Sequence, residues 1–149
     1  MTILYVDLEH DRVLDDAVAG DTHRTRRDAA QARLAEAAGE LCDVLRFDDV
    51  TIDRIRSLAP SAMVISGNTA DWSEYDVATL AGLVETIQAA PVPILGICGG
   101  HQLIGQAHGA TWGPLGPVLD GATDPHPHFA PGLRKERGFL PIDVDRSSP

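Results

Sequence analysis

Up to Ala110 the apolar residues of this chain alternate between two rhythms. Ile3-Leu4-Tyr5-Val6, Ala62-Met63-Val64-Ile65 and the stretch from Val92 to Ile97 are short, almost unbroken apolar runs, the pattern of strands covered on both faces of a parallel sheet. Val44-Leu45-Arg46-Phe47 reads as a further strand. Between these runs the spacing becomes helical. Leu34, Ala38 and Leu41 share one face of a segment running from Arg24 to Leu41, and Ile52, Ile55 and Leu58 share a face of the next. The clearest helix start is Trp72-Ser73-Glu74-Tyr75-Asp76-Val77. There Ser73 is placed to cap the amide three residues on, Asp76 to reach back, and Trp72 to pack on Val77. That helix should continue through Leu80, Val84 and Ile87 and stop before Pro91 and Pro93. Another should begin just after Cys98. The alternation predicts an α/β fold, a doubly wound and mostly parallel sheet flanked by helices, with its site at the carboxyl ends of the strands.

Past Ala110 the pattern degrades. Gly113-Pro114-Leu115-Gly116-Pro117 and the stretch from Asp124 to Gly132 are dense in residues that break regular structure. Gly138-Phe139-Leu140-Pro141-Ile142-Asp143-Val144 resembles a weak edge strand, where proline is tolerated. With no internal repeat, low-complexity tract or linker, residues 1–149 are expected to form a single domain.

Charge narrows the partners. Acidic residues outnumber basic ones 22 to 12, for a formal net charge of -10, which disfavours nucleic acid and anionic membranes and points to a small molecule or another protein. No apolar run approaches the roughly 20 residues of a membrane span, and the first residues carry neither a basic leader nor a cleavage site. The expected location is the cytoplasm. Two cysteines, Cys42 and Cys98, are too few for a disulfide scaffold, so both should be thiols.

Cys98 is the candidate centre of chemistry. It lies in Gly96-Ile97-Cys98-Gly99-Gly100-His101-Gln102, on a strand-to-helix turn too tight for larger neighbours, which is one way α/β enzymes present a nucleophile. Amides at the start of the following helix favour negative charge on its sulfur. Gly96 and Gly100 relieve crowding at the turn, while the amide of Gly99 can point at an oxyanion on a carbonyl attacked by sulfur. Ser66-Gly67-Asn68-Thr69 follows the Ala62 strand. In a parallel sheet its loop opens on the same edge, so an amide from Gly67 or Asn68 can complete the oxyanion hole.

These residues resemble a known family. The segment from Pro93 to Gln102, with Ile104 to Ala110 behind it, is similar to the nucleophile region of class I (triad-type) glutamine amidotransferases, whose pattern is G-x-C-x-G-x-Q. Val64-Ile65-Ser66-Gly67-Asn68 is similar to the same family's oxyanion strand, usually S-G-G-P. The resemblance implies a flavodoxin-like sheet. It makes Cys98 the nucleophile that attacks the side-chain amide of glutamine, releasing ammonia and leaving a γ-glutamyl thioester for water to hydrolyse. It aligns Gly99 and Asn68 with the residues whose amides form the oxyanion hole, and Gln102 with a substrate-contacting glutamine. It implies no cofactor and no metal, and a synthetase partner subunit that receives the ammonia. Asn68 and Thr69 depart from the second glycine and the proline of the pattern. Asn visits left-handed backbone more readily than most residues, so its amide can still serve.

The larger departure is an absence. A cysteine nucleophile of this type needs a histidine to shuttle protons and an acid to orient it, which the family draws from a late H-x-E motif. Here the six histidines are followed two positions later by Arg12, Thr25, Leu103, Ala110, His128 and Ala130. The sequence therefore reads as the amidotransferase domain truncated before H-x-E and incomplete at its C-terminus, with little or no glutaminase activity. The alternatives are a γ-glutamyl peptidase or hydrolase of the same superfamily, a non-catalytic binding module on this fold, and the cysteine-elbow proteins related to peptidases and deglycases. Against the last, Gln102 favours the amidotransferase branch. Cys42 reads as structural, His101 and His108 as helix residues, and the pair His126 and His128 as solvated loop rather than zinc ligands. Glu9, His10 and Asp11 end the first strand on the active edge, as a polar turn or a contact for substrate.

Overall fold

The computed structural model describes residues 1–111, 113, 115–124 and 131–134. They fall into two compact units, Met1–Thr111 and Trp112–Pro149.

The first unit carries the sheet. Strands β1 (Thr2–Asp7), β2 (Leu41–Arg46), β3 (Ala62–Ile65) and β4 (Ile94–Gly96) lie in the order β2-β1-β3-β4, and every pairing is parallel. The helices are α1 (Asp11–Asp15), α2 (Ala17–Ala38), α3 (Ile52–Leu58), α4 (Val77–Ala89) and α5 (Gly99–Ala107). The unbroken apolar runs have the cause expected of them: β1 and β3 are central strands, and Leu4, Tyr5, Val6, Met63, Val64 and Ile65 are all buried. One set of side chains joins α3, α4 and α5 in the main core, where Leu83, Ile87 and Leu103 are sealed from solvent. The other set, Tyr5, Cys42 and Val64, packs with Ala30, Leu34 and Ala35 of α2. The sheet is therefore wound on both faces, a flavodoxin-like arrangement.

Several boundaries differ from the sequence reading, each for a local reason. Helix α2 begins at Ala17, well before Arg24, because Asp16 accepts hydrogen bonds from the amides of Val18 (3.0 Å) and Ala19 (2.7 Å). It ends at Ala38 because Gly39 takes the left-handed conformation at φ 66°. Leu41 thus belongs to β2 and not to the helix face with Leu34 and Ala38, and it is 74% exposed. Phe47 leaves the strand for a short 3-10 turn, Phe47–Asp49. The Trp72 segment is also a 3-10 turn, Trp72–Glu74, capped by Asp71 and Glu74 in a reciprocal capping box. The α-helix starts three residues after that turn, at Val77, where Asp76 accepts from the Ala78 amide. Val77 is 81% exposed, and Trp72 packs against the buried core. The last strand shortens to Ile94–Gly96.

Within the second unit, Pro117 and Leu133 form an antiparallel bridge, flanked by bonds from the Val118 amide to the Gly132 carbonyl and from the Arg134 amide to the Gly116 carbonyl, each 2.8 Å. The edge strand expected at Gly138 to Val144 and the His126 and His128 pair lie outside the described residues.

Candidate active site

The turn from β4 into α5 is built around one strained residue. Cys98 has φ 52° and ψ -111°, a region that costs a residue with a side chain of order 1–3 kcal/mol and persists only where neighbours enforce it. Here they do. The Ile97 amide donates to the Ile65 carbonyl at 2.9 Å, the Gly100 amide lies 3.0 Å from the Ser66 carbonyl and 2.9 Å from that of Ile97, and the Gln102 amide donates to the Cys98 carbonyl at 3.1 Å. The turn is thereby tied to the end of β3 and to the first turn of α5, leaving Cys98 exposed at the carboxyl edge of the sheet.

At Gly96 and Gly100 the nearest atoms are backbone, so space dictates glycine there, while at Gly99 the close neighbour is a side chain. A Cβ on Gly96 would stand 2.5 Å from the backbone carbon of Gly100. One on Gly100 would stand 2.8 Å from the Ser66 carbonyl oxygen and closer still to that of Ile65. One on Gly99 would overlap the side-chain oxygen of Asn68. A Cβ on Gly67 would lie 3.2 Å from Cys98 Cβ and 3.8 Å from its Sγ. The loop at 66–69 therefore rests against the cysteine, and the structure brings Gly67, Asn68, Cys98 and Gly99 together. Among the described residues no backbone acceptor takes the amide protons of Gly67, Asn68 or Gly99.

That loop is held from below by Glu9, whose importance the sequence reading missed. Glu9 is 1% exposed. Its Oε2 accepts from the Thr69 amide (2.9 Å) and hydroxyl (2.7 Å), and its Oε1 accepts from the amides of Ala70 (3.2 Å) and His10 (3.0 Å). Burial opposes ionisation of this carboxyl, but the Thr69 hydroxyl and the three amides outweigh it and hold Glu9 below its ordinary range. Ser66 Oγ accepts from the Leu8 amide and donates to the Gly67 carbonyl, each 2.8 Å, and Asn68 Nδ2 donates to the Ala70 carbonyl at 2.8 Å. The signal available in the sequence was position alone: an acid two residues past a buried strand, on the edge that carries the site.

Gln102 sits one turn into α5, and its Oε1 accepts from the Trp72 indole at 2.9 Å. Trp72 in turn packs on Tyr75, with ring centroids 5.1 Å apart, and the Tyr75 hydroxyl donates to the Leu8 carbonyl at 2.8 Å. The indole thus fixes the glutamine side chain.

None of the four described histidines hydrogen-bonds the Cys98 thiol. His10 accepts from the Arg12 amide at the start of α1. His23 faces carboxylates with both ring nitrogens, Nε2 at 3.0 Å from Asp7 and Nδ1 at 3.8 Å from Glu9. His101 lies exposed on α5 and His108 ends it. Glu9, His10 and Asp11 each make structural contacts, Asp11 pairing with Arg46 at 2.8 Å. Cys42 is buried in the α2 face, and that burial pushes its thiol up. Among the described residues no group of three or more His, Cys, Asp or Glu could hold a metal ion, and no helix is long and apolar enough to cross a membrane.

Comparison with known proteins identifies the family. Residues 28–138 match the family described as Glutamine amidotransferase class-I. The chain is 38% identical over 97 residues to anthranilate synthase component 2 of Pseudomonas putida, covering 64% of this chain and 46% of that protein. It is 37% identical over 92 residues to aminodeoxychorismate synthase component 2 of Klebsiella aerogenes, covering 60% and 46%. A shorter match, 44% over 57 residues, joins it to the glutamine-hydrolysing GMP synthase of Nitratidesulfovibrio vulgaris, covering 38% and 10%. The chain spans about half the length of the component-2 relatives it matches. A strained cysteine elbow on a flavodoxin-like sheet and a family match over most of the sequence lead to one assignment: the chain belongs to the class-I glutamine amidotransferase family.

Proposed function

We propose that this chain supplies the nucleophile and oxyanion half of a glutaminase site that feeds ammonia to a synthase partner subunit. The observation that carries the reading is Cys98, held at positive φ and exposed, with the 66–69 loop packed against it. The Cys98 thiolate attacks the side-chain amide carbon of glutamine, forming a C–S bond. Charge developing on the carbonyl oxygen is met by the amides of Gly99 and Asn68, with Gly67 setting the loop's approach. The C–N bond then breaks, ammonia leaves with an added proton, and water cleaves the γ-glutamyl thioester to glutamate and free thiol. Gln102, fixed by Trp72, contacts the substrate. No cofactor or metal is needed for these steps.

The proton transfers need a base, and the family's motif for it is missing: the sequence contains no H-x-E, and among the described residues His10 and His23 are engaged elsewhere and no histidine hydrogen-bonds the thiol. We therefore assign residues 1–149 to one amidotransferase-like domain that, without H-x-E, has little or no glutaminase activity of its own. The lack of H-x-E equally supports a non-catalytic glutamine-binding module, and a γ-glutamyl peptidase would use the same elbow. The net charge of -10 favours a protein or small-molecule partner over nucleic acid or anionic membrane.

Glutamine is expected to slow iodoacetamide modification of Cys98, while the chain alone releases no ammonia from glutamine above a Cys98→Ala control. Absence of protection would contradict a glutamine pocket. Robust turnover would show that the chain contains its own base.

A further inference from the structure

Helix α2 carries arginines beside the apolar stripe, Ala30, Leu34 and Ala35, that packs on the sheet. His23, Arg26, Arg27 and Arg33 follow the three- and four-residue spacing of one helix face, and all four line a cavity of about 480 Å3 that also includes Gly67 and Asn68. A smaller cavity of about 190 Å3 shares Arg26 and His23 with it. In a chain with 22 acidic and 12 basic residues, this is a local reversal of charge.

The acids nearest this cavity are already engaged. Glu9 accepts from the Thr69 and Ala70 amides, and Asp7 faces His23 and Arg46. Arg27 is held by Asp28 through bonds of 3.0 and 2.8 Å. Arg26 and Arg33 have no hydrogen-bond or ion-pair partner among the described residues. Tyr5 and Ile97 add apolar lining. The volume lies within the roughly 300–1,000 Å3 of small-molecule sites, and planar guanidinium groups suit carboxylate or phosphate oxygens. Arg26 and Arg33 stand seven residues apart, roughly 10 Å along the axis, so a ligand that engages both is elongated.

We infer that the α2 cavity binds an elongated small dianion, its carboxylate or phosphate ends held by Arg26 and Arg33 and its body lying over Tyr5 and Ile97. This cavity borders the proposed glutamine site through Gly67 and Asn68, but its anion contacts, Arg26 and Arg33, do not depend on Cys98 being a nucleophile.

Calorimetric titration at low salt tests it, with adipate as the dicarboxylate probe, pyrophosphate as the phosphate probe and neutral adipamide as control. Saturable binding of adipate or pyrophosphate is expected, the tighter of the two naming the anion class, with none for adipamide. Arg26→Gln combined with Arg33→Gln should weaken binding at least tenfold. Arg54→Gln combined with Arg56→Gln, the same charge change on exposed positions of α3, should leave it unaltered. The single variants Arg26→Gln and Arg33→Gln should each show a smaller loss, which keeps the test decisive if the double variant does not fold. Equal loss in the α3 control, or no saturable binding of either anion, would overturn the inference.

Discussion

Gly100→Ala is expected to destabilise the protein by about 3 kcal/mol and to disorder the nucleophile turn, because the added methyl meets backbone and not a yielding side chain. The atoms it would strike are the carbonyl oxygens of Ile65 and Ser66, the latter also accepting the Gly100 amide. Relief requires moving the end of β3 away from α5, which separates Cys98 from the 66–69 loop. Gly105→Ala, in the same helix, is the matched control. There the new Cβ would make only an ordinary 3.5 Å contact with Ala110, so the helix gains propensity and stability should hold steady or rise by about 0.5–1 kcal/mol. Denaturant unfolding of the two variants reads the contrast directly. Equal loss in both would show that crowding at the turn is not what glycine relieves.

Glu9→Ala should cost roughly 3–5 kcal/mol, since it strips an acceptor from the Thr69 amide and hydroxyl and from the Ala70 amide at once, leaving donors unmet in a buried setting. Cys98 should then lose the orderly loop beside it and react with glutamine-like reagents more slowly. The same carboxyl predicts a pH response. Glu9 is held below its ordinary value of 4.5 when folded, so its contribution is complete above pH 4.5 and fades as the pH falls through its folded value. Unfolding midpoints followed downward from pH 6 should drop on the acid side in the parent chain and drop less in Glu9→Gln. An identical acid slope in both would assign the effect to other carboxylates.

Much of this was legible in the residues, and the limits have physical causes. The parallel sheet was readable because β1 and β3 are central strands covered on both faces, which leaves no polar alternation to confuse with an edge. The elbow was readable because the close approach of two backbones leaves no room for a side chain at Gly96 and Gly100, on either side of Cys98. Helix boundaries were less so. Asp16 and Asp76 cap where the hydrophobic spacing gave no signal, and the short 3-10 turn at Trp72–Glu74 carries the capping box that resembles the start of a longer helix. The role of Glu9 depends on contacts with Thr69 and Ala70, 60 and 61 residues away, and no local pattern encodes that. The same holds for the Trp72 indole, read as a hydrophobic staple but bonded to Gln102 across 30 residues.

The central claim is that Cys98 is a nucleophile facing a glutamine pocket, and a glutamine-like chloroketone tests it most directly. The reagent, applied to the folded chain and followed by peptide mass mapping, should add one equivalent at Cys98 and none at buried Cys42. Free glutamine should suppress the reaction, and Cys98→Ala should abolish it. A folded sample left unmodified at Cys98, or modified at the same rate with and without glutamine, would contradict the account.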